Sequence, residues 1–391
     1  MDLFVFDPAG ESGTLFKPFR ALALEGSAWS VECFDHEPDV LAAVEANPQA
    51  TVAVDAEEED CTPELLQTLT QSFPGTVRVA CASTEEIRRL KDLCGRANQF
   101  CFRPLDPERI GARLQQAQAL RGLLCDPKTL TVVTGLRTLP AFLDSYGELL
   151  EALDSPDAEL EAIGAAIERD VALCSTILSL ANSAFFGRAT PATTAMDAVS
   201  SLGLSAIRAV VMAYPALSLM DHSPKLQKRR AEFWSHAQAV AEAARIIARA
   251  EGLKGEAAGY AYSGGLLHDV GKLILGSNYG GKYDAFLEYA QDNNEPLHSV
   301  EQSSLGTDHG AVGAFMLAVW GVPTPIVESI WHHHEDLTQA DGSLSVAAVV
   351  SGANQVAHLL ETEQEANKAS SLQIAEWVEY VREARAQTAA S

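Results

Sequence analysis

The chain has 391 residues, of which 47% are hydrophobic and 21% charged, a composition typical of two or three globular domains and not of a disordered polymer. Its formal net charge of −25 opposes unassisted binding to nucleic acids and anionic membranes, which basic surfaces normally attract. The seven cysteines never occur as Cys-x-x-Cys, which argues against a disulfide scaffold or zinc ribbon and favours reduced thiols.

The start of the chain lacks the features of a signal peptide. Asp2 is acidic, and no basic region followed by a long apolar core is present. No uninterrupted apolar stretch is long enough to cross a bilayer. We therefore expect a soluble, cytoplasmic protein without direct nucleic-acid or membrane partners.

The first 125 residues predict a doubly wound α/β domain. Short apolar runs are separated by helical patterns such as those at 40–44 and 85–93, and the runs lie at 3–6, 51–54, 77–80 and 100–102. Strands that alternate with helices indicate a parallel sheet. The functional loops of such a sheet follow the carboxyl ends of its strands.

This region resembles a degenerate receiver domain of a two-component response regulator. The resemblance implies Mg²⁺ binding after the first strand and phosphorylation of an Asp after the third, where this chain has Asp7 and Asp55. Asp7 has no acidic neighbour, Arg103-Pro104 stands in place of the family's Lys-Pro, and 80–82 is Ala-Cys-Ala where Thr or Ser is typical. Arg keeps the positive charge but presents a planar fork to a phosphoryl group. Either Asp55 accepts phosphate, or the domain is a pseudo-receiver used for docking or dimerisation.

The next part of the chain is predicted to be an all-α domain over residues 128–360. Pro127 disfavours helix at the preceding residue and marks the boundary. We expect a helical lead-in at 130–222 and a core at 230–360, with one helix starting at 154–157 and helix ends at Gly203 and Gly252. A C-terminal amphipathic helix is expected within 364–391, with one apolar face formed by Ile374, Trp377, Val378 and Val381.

The most informative segment is 264–272, Gly-Gly-Leu-Leu-His-Asp-Val-Gly-Lys, in which His268 and Asp269 adjoin at the polar end of an apolar run. An imidazole nitrogen and a carboxylate oxygen together suit divalent Fe, Mn, Zn or Mg. Further candidate ligands are His236, His309 and two of the triplet His332, His333 and His334. At most two rings of the triplet can face one pocket, because neighbouring helical side chains diverge by about 100°.

Each candidate also has a structural explanation. His236 shares a helix face with Val240, Ala244 and Ile247, so it can be a core histidine bonded to a carbonyl. His268 and Asp269 can be a helix-terminal pair that caps and hydrogen-bonds locally. His309, between Asp308 and Gly310, can belong to a helix N-terminus.

The residues from about 130 to 360 resemble the HD superfamily of metal-dependent phosphohydrolases, and specifically its HDOD branch of bacterial signalling modules. The segments of the helical lead-in favour the HDOD branch, and they are 138–140, 149–150, 167–173 and 180–187. The later matches are 233–236, the segment 264–272, 308–313, 320–323 and 333–335. The resemblance implies that His333 and His334 are the ligands of the triplet. In catalytic relatives a lysine equivalent to Lys272 contacts a substrate phosphate, although Lys272 can instead extend to solvent.

Departures from the catalytic pattern decide the expected function. Gly-Tyr-Pro does not follow Glu335, and Asn354 stands where the superfamily's last Asp ligand is expected. A neutral amide adds no charge to hold a divalent ion. We therefore expect a non-catalytic HDOD output module joined to a pseudo-receiver, acting on other signalling proteins with possible self-association. The alternatives are a metal-dependent phosphohydrolase of a nucleotide or cyclic dinucleotide, and a nucleotide sensor that binds without cleavage.

Overall fold

The computed structural model describes most of the chain in two compact units. The described residues are 1–23, 28–56, 62–82, 93, 96–103, 105–136, 149, 152–153, 159–169, 171–181, 192–218, 224–253, 256–319, 321–335, 344–361 and 372–390. One unit comprises Met1–Arg137 with Ser299–Thr324, and the other comprises Thr138–His298 with Pro325–Ser391. The predicted domain limits at 125 and 128 remain predictions, and each unit is described by itself.

The first unit contains a five-stranded parallel sheet with the order β2-β1-β3-β4-β5. The strands are β1 (Asp2–Phe6), β2 (Ser30–Phe34), β3 (Thr51–Asp55), β4 (Val77–Ala82) and β5 (Gln99–Phe102). The four predicted apolar runs coincide with β1, β3, β4 and β5, and β3 and β4 are buried along their whole length. This topology confirms the doubly wound, receiver-like fold.

The sequence pattern did not predict the edge strand β2, because its residues occupy intermediate and exposed positions and form no apolar run. Helices α1 (Phe16–Arg20), α2 (Glu37–Ala46) and α3 (Thr62–Ser72) connect the strands, and α2 contains the pattern predicted at 40–44. The pattern predicted at 85–93 lies outside the described residues except for Leu93. Two short 3₁₀ segments, Gly10–Ser12 and Ala21–Ala23, flank α1.

Three helices continue this unit: α4 (Pro107–Ala119), α5 (Arg121–Leu124) and α6 (Pro127–Thr134). Asp126 is extended, as predicted for a residue before proline, and its carboxylate caps α6 at the Thr129 N–H. A distant segment completes the unit through α15 (Leu297–Leu305), from Ser299 onward, and α16 (His309–Val319). Buried Gln99 on β5 donates from Nε2 to the Ala318 carbonyl at 2.8 Å, which fixes α16 against the sheet edge.

Within its described residues, the second unit consists of helices alone. They are α7 (Leu160–Glu168), α8 (Val171–Ala181), α9 (Ala195–Leu202), α10 (Leu204–Ser218), α11 (Pro224–Ala250), α12 (Ala257–Leu267), α13 (Val270–Tyr279), α14 (Gly281–Asn293), α17 (Thr324–Trp331), α18 (Val346–Glu361) and α19 (Leu372–Ala390). The description all-α therefore fits this unit and not the whole chain. Gly203 ends α9 with φ of +80°, a left-handed conformation that favours glycine. The helix start predicted at 154–157 lies outside the described residues.

Helices α11, α12 and α18 form the centre of the helical unit, and α19 packs on α11 and α18. The four apolar residues predicted to line one face of the last helix, Ile374, Trp377, Val378 and Val381, are all buried there. Trp377 also donates from Nε1 to Glu251 Oε1 at 2.6 Å, which joins α19 to the end of the α11 region. None of the helices described is long and apolar enough to cross a membrane.

The contact between α11 and α12 depends on a glycine. A Cβ added at Gly265 would lie 2.8 Å from Ala241 Cα and 2.9 Å from Ala241 N, both backbone atoms that cannot rotate away. Gly265 thus lets the two helices approach closely, one turn before His268. Sequence patterning alone does not reveal this requirement.

We expect Gly265→Ala to lower the free energy of unfolding by about 1–3 kcal/mol, because the added methyl group overpacks a backbone contact. Gly281→Ala is the matched control, since nothing lies within 4 Å of its added Cβ and alanine favours helix. Urea unfolding of the full chain measures both variants. Equal stability of the two variants would contradict the close-approach argument.

Candidate metal site

The candidate ligands of the helical unit are positioned by five helices. His268 and Asp269 occupy the turn between α12 and α13, and His333 lies in the turn after α17. His236 projects from α11 and Asn354 from α18. The structure brings these five residues together, although they are separated by up to 118 positions in the sequence.

Asp269 lies at the centre of the cluster. His268 Nε2 is 3.4 Å from Asp269 Oδ2, and His333 Nε2 is 3.5 Å from Asp269 Oδ1. The ring of His268 lies between the other two imidazoles, with its centroid 5.3 Å from that of His236 and 5.0 Å from that of His333. Three imidazoles therefore surround one carboxylate.

Backbone carbonyls orient two of these imidazoles. His268 Nδ1 donates to the Gly265 carbonyl at 2.7 Å, and His333 Nδ1 donates to the Ile330 carbonyl at 2.7 Å. A carbonyl only accepts, so the proton of each neutral ring is on Nδ1 and the lone pair is on Nε2. Metal-binding histidines are typically fixed in this way by a second group.

His268 supplies the clearest indication of a cation site. Its Nε2 is buried and makes no hydrogen bond to any residue that the structure describes, because the approach of Asp269 does not have the geometry of one. Burial lowers the pKa of His268, against an opposing effect of Asp269, so the ring is held neutral. A neutral buried imidazole with a free Nε2 lone pair is suited to a metal ion.

The capping interpretation of Asp269 is wrong. Asp269 occupies the position before α13, but its side chain makes no capping hydrogen bond. His268 does bond locally through Nδ1, yet this bond leaves Nε2 directed into the cluster. The pair is therefore arranged toward the other candidate ligands.

His236 has two side-chain partners and no backbone carbonyl partner of the kind expected for a core histidine. Its Nδ1 lies 3.0 Å from Glu361 Oε1, and its Nε2 lies 3.2 Å from Asn354 Oδ1. Both partner atoms are acceptors, whereas a neutral imidazole has only one N–H. The sequence reasoning missed Glu361, which lies seven residues after Asn354 and so on the same side of α18.

Lys272 contacts the cluster directly. Its Nζ lies 2.6 Å from Asp269 Oδ2, and the Asp269 side chain is only 4% exposed. Lys272 therefore neutralises the central carboxylate and does not extend freely to solvent, and its contact with a substrate phosphate stays a prediction. The spacing of three residues on a helix was a signal that sequence analysis could have used.

Two further predicted ligands, His309 and His334, have close partners within their own units. His309 belongs to the first unit, where its Nδ1 lies 2.6 Å from Glu301 Oε2 and both side chains are buried. Asp308, which precedes α16, accepts a hydrogen bond from the Ala311 N–H at 2.9 Å, so a helix begins at His309. In the second unit, the ring of His334 stacks on that of His298 with centroids 4.1 Å apart, and its centroid lies 3.8 Å from that of His333.

The acidic candidates of the first unit lie at the carboxyl ends of its strands. Asp55 Oδ2 pairs with Arg103 Nη2 at 2.6 Å, and Arg103 Nη1 donates to Thr14 Oγ1 at 2.6 Å. The Asp7 carboxylate accepts from the N–H groups of Ala9 and Leu15 at 3.0 and 3.1 Å. Both predicted acids are thus engaged by groups of the same unit, while Pro104 lies outside the described residues.

The HDOD domain model matches residues 139–336 of this chain, so the chain belongs to the HDOD family. A protein of Treponema pallidum (strain Nichols), named only as uncharacterized, is 27% identical over 225 residues, which are 58% of this chain and 43% of that protein. The matched region is therefore less than half the length of that curated relative.

Two solved structures show the same fold at low sequence identity. One, from Shewanella amazonensis SB2B, carries the provisional name phosphohydrolase, is 21% identical and has a TM-score of 0.50 over 67% of this chain and 93% of that chain. The other, from Marinobacter aquaeolei VT8, carries the provisional name signal transduction protein, is 17% identical and has a TM-score of 0.50 over 85% of this chain and 82% of that chain. Independently of these comparisons, the clustered His and Asp side chains could hold a metal ion.

The ion pair of Lys272 with Asp269 gives a prediction for stability. We expect Lys272→Met to lower the free energy of unfolding by about 1–3 kcal/mol, because the nearly buried Asp269 carboxylate loses its charged hydrogen-bond donor. Added Mn²⁺ should restore part of this loss, since the cation can replace the ammonium charge.

Lys282→Met is the matched control, because Lys282 is exposed on α14 and its contacts are with aromatic rings. Thermal unfolding with and without Mn²⁺ measures both variants. A loss of stability in Lys272→Met that Mn²⁺ leaves unchanged would contradict the cation-replacement argument.

Proposed function

We propose that this protein is a signal-transduction protein in which a pseudo-receiver is joined to a non-catalytic HDOD output module that acts by binding other signalling proteins or a second copy of itself. The observation that carries the proposal is the 2.6 Å ion pair between Lys272 and the central carboxylate of the candidate metal site. The family and the fold support an HDOD signalling module. The absence of catalysis is our inference from the residues of the site.

The charge of the cluster argues against hydrolysis. Asp269 is the one carboxylate among its central residues, and Lys272 cancels that charge. Asn354 adds an amide oxygen at 3.2 Å from His236 Nε2, where a catalytic relative would have a carboxylate. His236, His268, Asp269 and His333 can hold a divalent ion, but the set gives that ion little negative charge. Such a site fits a structural ion better than a hydrolytic one.

A neutralised carboxylate also argues against phosphorylation of the receiver-like unit. Arg103 forms a close ion pair with the candidate phosphoacceptor Asp55 and also donates to Thr14. The side chain of Asp55 is only 7% exposed. Phosphorylation would have to break this pair at a nearly buried carboxylate, which favours a domain that transmits a signal without accepting phosphate.

We expect the full chain loaded with Mn²⁺ or Fe²⁺ to hydrolyse cyclic dinucleotides and bis(p-nitrophenyl) phosphate no faster than His268→Ala/Asp269→Ala. Asn354→Asp should raise the Mn²⁺ affinity by about tenfold or more, because it adds a negative charge beside His236. Isothermal titration and product release measure the two properties separately.

Asn293→Asp is the matched control, since Asn293 is exposed at the end of α14 and bonds only the Tyr289 carbonyl there. Turnover by the wild-type chain that disappears in His268→Ala/Asp269→Ala would overturn the non-catalytic proposal. Saturable nucleotide binding without product would instead favour a sensor.

We also expect acetyl phosphate to leave Asp55 unlabelled, because Arg103 occupies its carboxylate. A genuine receiver domain, treated in parallel, should be labelled and shows that the phosphodonor is active. Intact-mass spectrometry detects the phosphoryl adduct. Labelling of the wild-type chain that Asp55→Asn removes would show a working receiver.

A metal-dependent phosphohydrolase is the second candidate function. The observation in its favour is the buried His268 Nε2 that makes no hydrogen bond within a cluster of imidazoles. A bound divalent ion would supply Lewis acidity toward a phosphate ester. In that case His236, His268, Asp269 and His333 would hold the ion, and Lys272 would leave Asp269 to contact the substrate phosphate.

A further inference from the structure

A second group of candidate ligands lies on the other side of the His236 ring. His358 and Glu361 follow Asn354 on α18 by four and seven residues, so all three share one helix face. That face lies against His236 on α11. The side chains of His358 and Glu361 are 60% and 41% exposed, whereas that of His236 is 15% exposed.

The ligand atoms of this outer group are close enough for one metal ion. His236 Nδ1 lies 3.0 Å from Glu361 Oε1, and His358 Nδ1 lies 3.9 Å from Glu361 Oε2. One ligand atom from each of His236, His358 and Glu361 lies within 4.8 Å of the others. A tetrahedral Zn²⁺ with bonds of about 2.0–2.1 Å requires ligand separations of about 3.3–3.4 Å, so small rotations of exposed side chains suffice.

The two imidazole rings of the outer group also restrain each other's orientation. The rings of His236 and His358 stack with centroids 4.6 Å apart and planes inclined by 29°. Stacking limits the rotation of the more exposed His358 ring. Two imidazoles and one carboxylate are a donor set of zinc proteins, which leaves further positions to water.

The hydrogen bonds of His236 point to a cation on its outer nitrogen. A neutral His236 ring can donate to Asn354 Oδ1 from Nε2 or to Glu361 from Nδ1, but not to both, and in the tautomer that donates to Asn354 the Nδ1 lone pair faces the Glu361 carboxylate. A lone pair and a carboxylate at this distance repel each other unless a cation lies between them. A metal ion at Nδ1 would remove the repulsion, with Asn354 as the second-layer acceptor that metal-binding histidines commonly have.

We propose that His236 Nδ1, His358 and Glu361 form a second, solvent-accessible site for Zn²⁺ or a similar nitrogen-preferring divalent ion. The site is distinct from the inner cluster because it uses Nδ1 of His236, whereas the inner cluster faces Nε2. A neutral imidazole has one lone pair, so an ion at the outer site removes His236 from the inner donor set. Zn²⁺ at the outer site therefore weakens metal binding at the inner cluster.

Zn²⁺ titration of the full chain, purified without a polyhistidine tag, tests the site. In the His268→Ala/Asp269→Ala background, which disables the inner cluster, one Zn²⁺ per chain should still bind. His358→Ala and Glu361→Gln should each weaken this binding at least about tenfold. Bound Co²⁺ in place of Zn²⁺ should give an absorption spectrum typical of nitrogen ligands. His358→Ala should change that spectrum.

His332→Ala is the matched control, because His332 and Glu335 form another exposed His–Glu pair at 2.9 Å. Its Zn²⁺ affinity should equal that of its background. If the double-variant background fails to fold by circular dichroism, the same outer variants are made in the wild-type chain, where they should abolish Zn²⁺ binding at the outer site and tighten metal binding at the inner cluster, to which His236 returns. Zn²⁺ binding that neither His358→Ala nor Glu361→Gln weakens, or no binding at all, would overturn the proposal and leave a proton between His236 and Glu361.

Discussion

The arrangement of the helical unit depends on one nearly buried carboxylate, that of Asp269. A charge removed from water is costly unless it is paired, and Asp269 meets this condition through the Lys272 ammonium at 2.6 Å. The imidazoles of His268 and His333 approach the same carboxylate but are fixed as neutral rings by backbone carbonyls. The cluster is thus electrically balanced by the protein alone, so a divalent ion is compatible with it but not required by it.

The receiver-like unit also contains a nearly buried carboxylate that is paired with a basic side chain. There the carboxylate at the end of β3, Asp55, is paired with Arg103 at 2.6 Å. In each unit the acid that would carry the chemistry of a catalytic or phosphate-accepting relative is neutralised by a cation from its own unit. Two acids paired in the same physical way support the proposal of a protein whose output is a binding event. The alternative of hydrolysis would require Lys272 to move and an ion to take its place.

The sequence predicted the parts of this structure that follow from local patterns. The buried strands, the helix pattern at 40–44 and the His268-Asp269 segment all show regular spacing or adjacent ligand types. It did not predict β2, whose half-exposed edge position weakens the apolar pattern, or the packing of α16 on β5, which joins residues 219 positions apart through Gln99. It also missed Glu361 and the partner of Lys272, although Glu361 shares a helix face with Asn354 and Lys272 follows Asp269 by three residues, because such spacing does not show which of several neighbours a long side chain contacts.

His236 shows why the position of a single ring governs the whole site. Gly265 allows α11 and α12 to approach until an added Cβ would meet the Ala241 backbone, and this approach brings the His236 ring to 5.3 Å from that of His268. The ring then has one nitrogen toward the inner cluster and the other toward Glu361. With an Asp at position 354, a carboxylate would attract a cation to the inner nitrogen. With Asn354 the amide oxygen can accept a proton from the inner nitrogen, which would turn the lone pair outward. The amide that argues against catalysis would therefore also leave the outer nitrogen available to a metal, as the proposed outer site requires.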